Sequence, residues 1–151
     1  MEGRVSRVDN DVFFVCSLID YISRKTKNKR SYVVNKLGKD RIGHIYELAD
    51  IYHSDNIDRV SDDFIEECNI HEGDFDNVAT CKYTVPSHFD IGKVYKRLVL
   101  GISREKNMDI VDAIFEAYNS YVSDKIDDYN SSFYYDSPQN ILNAYIYGMI
   151  E

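Results

Sequence analysis

Between Met108 and Asp128 the apolar residues Ile110, Val111, Ile114, Phe115, Tyr118, Val122 and Ile126 recur at i, i+3/i+4 and i+7, the spacing that lines one face of an α-helix. That face has to be buried against other elements. The opposite side carries Asp109, Asp112, Glu116, Asp124, Asp127 and Asp128 against Lys125 alone, so the solvent side of this stretch is predicted to be anionic. A loop rich in aspartate and tyrosine follows, through Tyr129, Phe133, Tyr134, Tyr135 and Asp136.

The rest of the chain repeats the helical period. Asp9 or Asn10 is placed to cap a helix that turns Val12, Val15, Cys16, Ile19 and Ile22 inward. Ser31 opens a short second helix through Leu37, which Gly38 is expected to stop in a left-handed cap. A third helix spans about Asp40 to His53, and Asn56 caps a fourth that ends near Cys68. From 69 to 87 the pattern breaks, with Gly73 and Pro86 as punctuation and enough β-branched residues for a short β-hairpin around 73–85. Ser87 with Asp90 reads as a capping box, and Ser137 followed by Pro138 as the start of a last helix. The expectation is an all-α fold, a compact bundle of six or seven helices. Residues 1–70 would form an N-terminal helical part, 71–86 an ordered connection, and 87–151 an acidic C-terminal helical part, together one domain.

Charge narrows the partners. The net charge is −8 over 151 residues, which disfavours nonspecific nucleic-acid and anionic-membrane binding and favours a basic protein partner. Eight basic residues face Asp40 alone between Arg24 and Arg41, whereas from Asn107 onward eight acids face Lys125 alone. Solvated faces account for such runs in most chains; the alternatives are a docking surface or head-to-tail pairing of two copies. Three cysteines without disulfide-like spacing, no leader pattern and no apolar run near the ~20 residues of a membrane span point to a reduced, cytoplasmic protein.

Three constellations compete for function. The corner at Gly38, with its basic surroundings from Arg24 to Arg41, raises a helix-turn-helix-like DNA binder, but the following helices carry Glu47, Asp50, Asp55, Asp58, Asp62 and Asp63, which repel phosphate. Cys68, His71, Cys81 and His88 could supply four zinc ligands or an enzymatic centre, at a spacing unlike that of standard fingers. No cysteine or serine is paired with a base by spacing, so no catalytic residue, metal ligand or cofactor is assigned. The aromatic, acidic C-terminal third is the preferred surface. Asp124, Asp127, Asp128 and Asp136 would steer a basic partner, while Tyr129, Phe133, Tyr134 and Tyr135 would supply contact area.

Residues 13–67 also resemble a family of small helical proteins of Gram-positive bacteria. The resemblance is carried by the apolar-acidic helix Phe13 to Asp20, by Val33, Val34, Leu37 and Gly38 at the corner, and by Asp50, Tyr52, His53 and Ile57. Genes of that family often neighbour an ADP-ribosyltransferase-like toxin. The resemblance therefore implies an accessory role, as an antitoxin or inhibitor that acts without catalysis.

Overall fold

In the computed structural model, which describes residues 2–148 and their side chains from residue 7 onward, the first helix forms the axis of the molecule. This helix, α1 (Glu2–Thr26), is 25 residues long, about 37 Å at 1.5 Å per residue. Val12, Val15, Cys16, Leu18, Ile19 and Ile22 are all but fully buried along it, each aliphatic side chain worth about 1.5–3 kcal/mol in burial. Asp9 and Asn10 are therefore interior to the helix and do not cap it. Its apolar period simply continues upstream to Val8.

The other helices wrap this axis. They are α2 (Arg30–Glu47), α3 (Ala49–Tyr52), α4 (Ile57–Glu67), α5 (His88–Lys106), α6 (Ile110–Asn119), α7 (Tyr121–Ile126) and α8 (Pro138–Tyr147), with a 3-10 turn at Phe133–Tyr135. α1 packs most extensively on α5 and then on α2; α6 bridges α5 and α2, and α8 closes on α5. One hydrophobic cluster runs from Val12 to Ala144 through both halves of the chain. No described helix is long and apolar enough to cross a membrane.

Local chemistry sets the boundaries. Asn56 accepts the backbone N–H groups of Asp58 and Arg59, Ser87 and Asp90 form the reciprocal capping box, and Ser137 accepts from Asn140 with Pro138 in the first turn. α2 breaks at Gly38, where φ is +82° and ψ 160°. This is a mirror-extended conformation open to glycine, sharper than the expected left-handed cap. The long helix expected from Met108 onward is two helices, because Ser120 turns extended between α6 and α7. Asp109 supplies the cap of α6, while Asn107 takes the left-handed position that ends α5.

No strand occurs among the described residues, so the hairpin expected around 73–85 is absent. The segment spends its backbone hydrogen bonds elsewhere. Gly73 and Phe75 donate to the carbonyls of Thr26 and Lys27 at 2.8 and 2.9 Å, Asn28 donates to the carbonyl of His71 at 2.7 Å, and Lys82 donates to Asn130 at 2.7 Å. A Cβ on Gly73 would stand 2.2 Å from Asn28 Oδ1, so glycine is what lets this strap lie against the α1–α2 corner.

The α1–α5 crossing depends on another glycine. A Cβ on Gly92 would lie 2.3 Å from Ser17 Oγ and 3.0 Å from Ser17 backbone atoms, whereas one on Gly101 would meet the movable end of Leu142. Gly92→Ala is expected to lower stability by about 2–3 kcal/mol as the two helices are forced apart. Gly101→Ala should cost less, because a side chain can yield where a backbone cannot; urea denaturation of the two variants checks this order.

Candidate functional site

An acid on the core stripe of α1 organises the interior. Asp20 follows Cys16 by one turn and is fully buried. Its Oδ1 accepts from Arg30 Nε at 2.7 Å and its Oδ2 from Arg24 Nε at 2.7 Å. Both arginines then reach one phenol, since Arg24 Nη2 and Arg30 Nη2 each donate to the Tyr129 hydroxyl at 3.1 Å. Arg24 also lies over the Tyr129 ring, 5.4 Å from its centre. A buried charge is tolerated only when its partners are supplied in full, and here α1, α2 and the loop after α7 supply them.

A second buried carboxyl adjoins this group. Tyr95 donates to Asp127 Oδ1 at 2.7 Å, Ser123 Oγ lies 2.7 Å from the Tyr95 hydroxyl, and Asn77 donates to the Asp127 carbonyl at 3.0 Å while its Oδ1 faces Arg30 Nη1 at 3.3 Å. Burial pushes the Asp127 carboxyl up to about 7. The positive charge of Arg30 and the hydrogen bond from Tyr95 oppose that rise without cancelling it. Burial likewise keeps the Tyr95 and Tyr129 phenols protonated well above their ordinary range.

Outside this floor lies an open cleft of about 360 Å³, walled by Asp74, Asp76, Asp124, Asp128 and Asn130, with Lys29 as the cation at its edge. A second cavity, of about 300 Å³, is formed by Tyr134, Tyr135 and Asp136 with Lys93, Arg97 and Pro138. The Tyr129 and Tyr134 rings meet edge-on, 5.8 Å apart, so the floor of the first cavity backs onto the wall of the second.

The residues expected to bind a partner are thus brought near one another but not onto one surface. Asp124, Asp128, Tyr135 and Asp136 are exposed, Tyr135 at 79%; Phe133 is half-buried and Tyr134 nearly buried. Asp127 and Tyr129 are interior, at 4% and 2% exposure, so they hold the cleft from within and offer no free surface. The break at Ser120 is the physical reason. It resets the helical register, and Asp127, on the polar side of an unbroken helix, ends α7 turned toward Tyr95.

The competing constellations do not assemble. The basic edge is largely spent within the molecule. Arg24 and Arg30 are committed to Asp20, Lys25 pairs with Asp58 and Asp62 at 2.6 Å each, Lys39 with Asp112 at 2.9 Å and Arg41 with Glu67 at 2.6 Å. The Arg24 to Arg41 stretch, the basis of the alternative DNA-binding reading, is therefore mostly neutralised within the molecule. Among the described residues no group of three or more histidine, cysteine or acidic side chains is arranged to hold a metal. Cys68 ends α4, Cys81 Sγ faces the Tyr83 carbonyl at 3.4 Å, and His88 packs on Phe89 with ring centres 4.2 Å apart. Cys68, His71, Cys81 and His88 thus do not converge as ligands.

Asp20, Arg30, Asn77 and Tyr95 were not singled out as a polar group by sequence patterning. The usable signal was Asp20, an acid on an apolar helix stripe with Arg24 one turn later. Comparison with protein-family models, curated proteins and solved structures finds no match to this chain.

Proposed function

We propose that this chain is a non-catalytic protein-binding module that neutralises a partner enzyme, in the manner of an antitoxin or inhibitor, by presenting its acidic cleft to a basic surface. The observation that carries the reading is the uneven use of charge. Most basic residues of the Arg24 to Arg41 stretch, Arg24, Lys25, Arg30, Lys39 and Arg41 among them, are held in internal ion pairs, while Asp74, Asp76, Asp124 and Asp128 gather around one open cleft with a single lysine. Such a field attracts a cationic partner and raises its association rate. At the adjoining cavity the exposed Tyr135 ring, beside Tyr134 and Asp136, supplies a flat aromatic rim of the kind that anchors interfaces.

The resemblance of residues 13–67 to proteins encoded beside ADP-ribosyltransferase-like toxins supports an enzyme as the partner. Three free thiols fit work in the cytoplasm. The test is affinity capture with the tagged chain, followed by kinetics with the purified partner. Asp124→Lys combined with Asp128→Lys is expected to slow association on the order of 10- to 100-fold at low salt. Wild-type affinity should fall steeply as salt is raised. An unchanged rate for the doubly reversed variant would remove the cleft from the interface.

A further inference from the structure

The cavity of about 300 Å³ between α5 and the start of α8 differs in chemistry from the acidic cleft. Val94, Leu98 and Ile141 give it an apolar floor, and Tyr134 and Tyr135 form one wall. The two rings lie 4.7 Å apart, centre to centre, at 31°. Tyr134 is nearly buried while Tyr135 is 79% exposed, so the fold holds the inner ring and leaves the outer one open to solvent. A concave, partly apolar surface of this size is at the lower end of small-molecule sites, which add a few convergent polar groups to such a lining.

The polar groups here are Lys93 and Arg97, both exposed and one turn apart on α5. Residues at that spacing share a helix face, with Cβ atoms about 5–6 Å apart. Elsewhere on α5, Lys96 meets Asp9 at 2.7 Å, Arg104 meets Glu105 at 3.8 Å and Lys106 meets Glu116 at 3.9 Å. Lys93 and Arg97 make no ion pair among the described residues, although two acids line the same cavity. Those acids are turned to other donors. Asp90 accepts the Ser87 N–H at 2.9 Å in the capping box, and Asp136 accepts the Ser137 N–H at 2.8 Å and the Asn140 side-chain amide at 2.9 Å. Like charges at i, i+4 repel and disfavour the helix that carries them, and an anion bound between the two would remove that repulsion.

We infer that this cavity binds a small aromatic phosphate monoester, its phosphate gripped by Lys93 and Arg97 and its ring laid against Tyr135 over the apolar floor. A phosphate offers three oxygens to the two cations, and the guanidinium fork matches a pair of them. The ring is selected because tyrosine favours offset or edge-on contact with another aromatic group. Tyr135 is shared with the protein-binding reading but the acidic cleft is not, so failure of either leaves the other standing.

The probe is phenyl phosphate, titrated into the full chain by NMR at low salt and about pH 8, where the ester is a dianion, with the Tyr134 and Tyr135 ring signals assigned. Inorganic phosphate, benzoate and benzyl alcohol supply the charge alone, a singly charged ring and a neutral ring. Saturable shifts at both tyrosines are expected at roughly millimolar concentration, as suits a ligand of this size, with phenyl phosphate bound at least several-fold tighter than each of the other three. Arg97→Gln should weaken it about 5- to 10-fold through lost charge-assisted hydrogen bonds, while leaving Tm unchanged or slightly higher, because the like-charge repulsion goes with it. Lys93→Gln should act in the same direction, and Tyr135→Ala should bring phenyl phosphate down to the affinity of inorganic phosphate. Absence of saturable shifts at the two rings, equal affinity for any of the three comparison compounds, or full affinity in folded Arg97→Gln would each overturn the assignment.

Discussion

Asp20→Asn is expected to lower folding stability by about 3–5 kcal/mol, the cost of removing one partner from a buried ion pair. The effect is large because one carboxylate serves two guanidinium groups. Without it, Arg30 is left fully buried with neutral partners, and Arg24 loses the contact that holds it against Tyr129. An amide retains one acceptor oxygen but no charge. Chemical denaturation measures the loss. The informative companion is Asp20→Leu with Arg30→Met, in which charge and countercharge leave together. That double variant should be more stable than Asp20→Leu alone, since burying a matched pair contributes little net stability while orphaning one member is costly. If Asp20→Asn unfolds at the wild-type denaturant concentration, the network does not hold the interior.

Asp127 is expected to make stability depend on pH in the direction opposite to an ordinary surface carboxylate. Unfolded, the group titrates near 3.8; folded, near 7. Between those values the folded state holds a proton that the unfolded state has released. Its contribution is therefore complete below about pH 4 and is lost as pH rises through 7. At ~1.36 kcal/mol per pH unit, the interval of about three units corresponds to on the order of 4 kcal/mol. Other groups run the other way. Asp55, held low first by the Asn56 N–H, and Asp58, held low first by Lys25, lose their contributions on acidification. The Asp127 effect is consequently read as a difference. Asn at 127 mimics the protonated acid toward Tyr95, so Asp127→Asn should gain stability relative to wild type as pH is raised from 5 to 8. A stability difference that stays constant over that range contradicts a buried, protonatable Asp127.

These interior residues show how far patterning carries. The helical period identified the all-α class, and the caps at Asn56, Ser87 and Ser137 fall where their side chains supply the first turn with acceptors. Such signals are local and need no tertiary partner. The strap from 69 to 87 reads as ordered, but its bonds go to Thr26, Lys27 and Asn130, and no local pattern distinguishes those partners from a facing strand. The break at Ser120 is similarly silent, because serine is tolerated inside helices and in extended turns alike. One residue of altered register there decides that Asp127 and Tyr129 face inward while Asp124 and Asp128 face out. The candidate surface was legible as an acidic, aromatic third of the chain. Which of its side chains are free to touch a partner was not, since that is fixed by Asp20, Arg30 and Tyr95, which are far away in sequence.

The division of one cleft into an outer acidic wall and an inner structural floor is tested most directly by measuring partner affinity per folded molecule for two variants side by side. Asp124→Lys with Asp128→Lys changes only exposed residues, whereas Tyr129→Phe removes the phenol shared by Arg24 and Arg30. The predicted result is that the charge-reversed protein keeps its Tm and loses most of its affinity, while Tyr129→Phe loses stability by about 1–3 kcal/mol and binds normally once the folded fraction is taken into account. Full affinity in the charge-reversed protein, or a binding defect in folded Tyr129→Phe with unchanged stability, would contradict it.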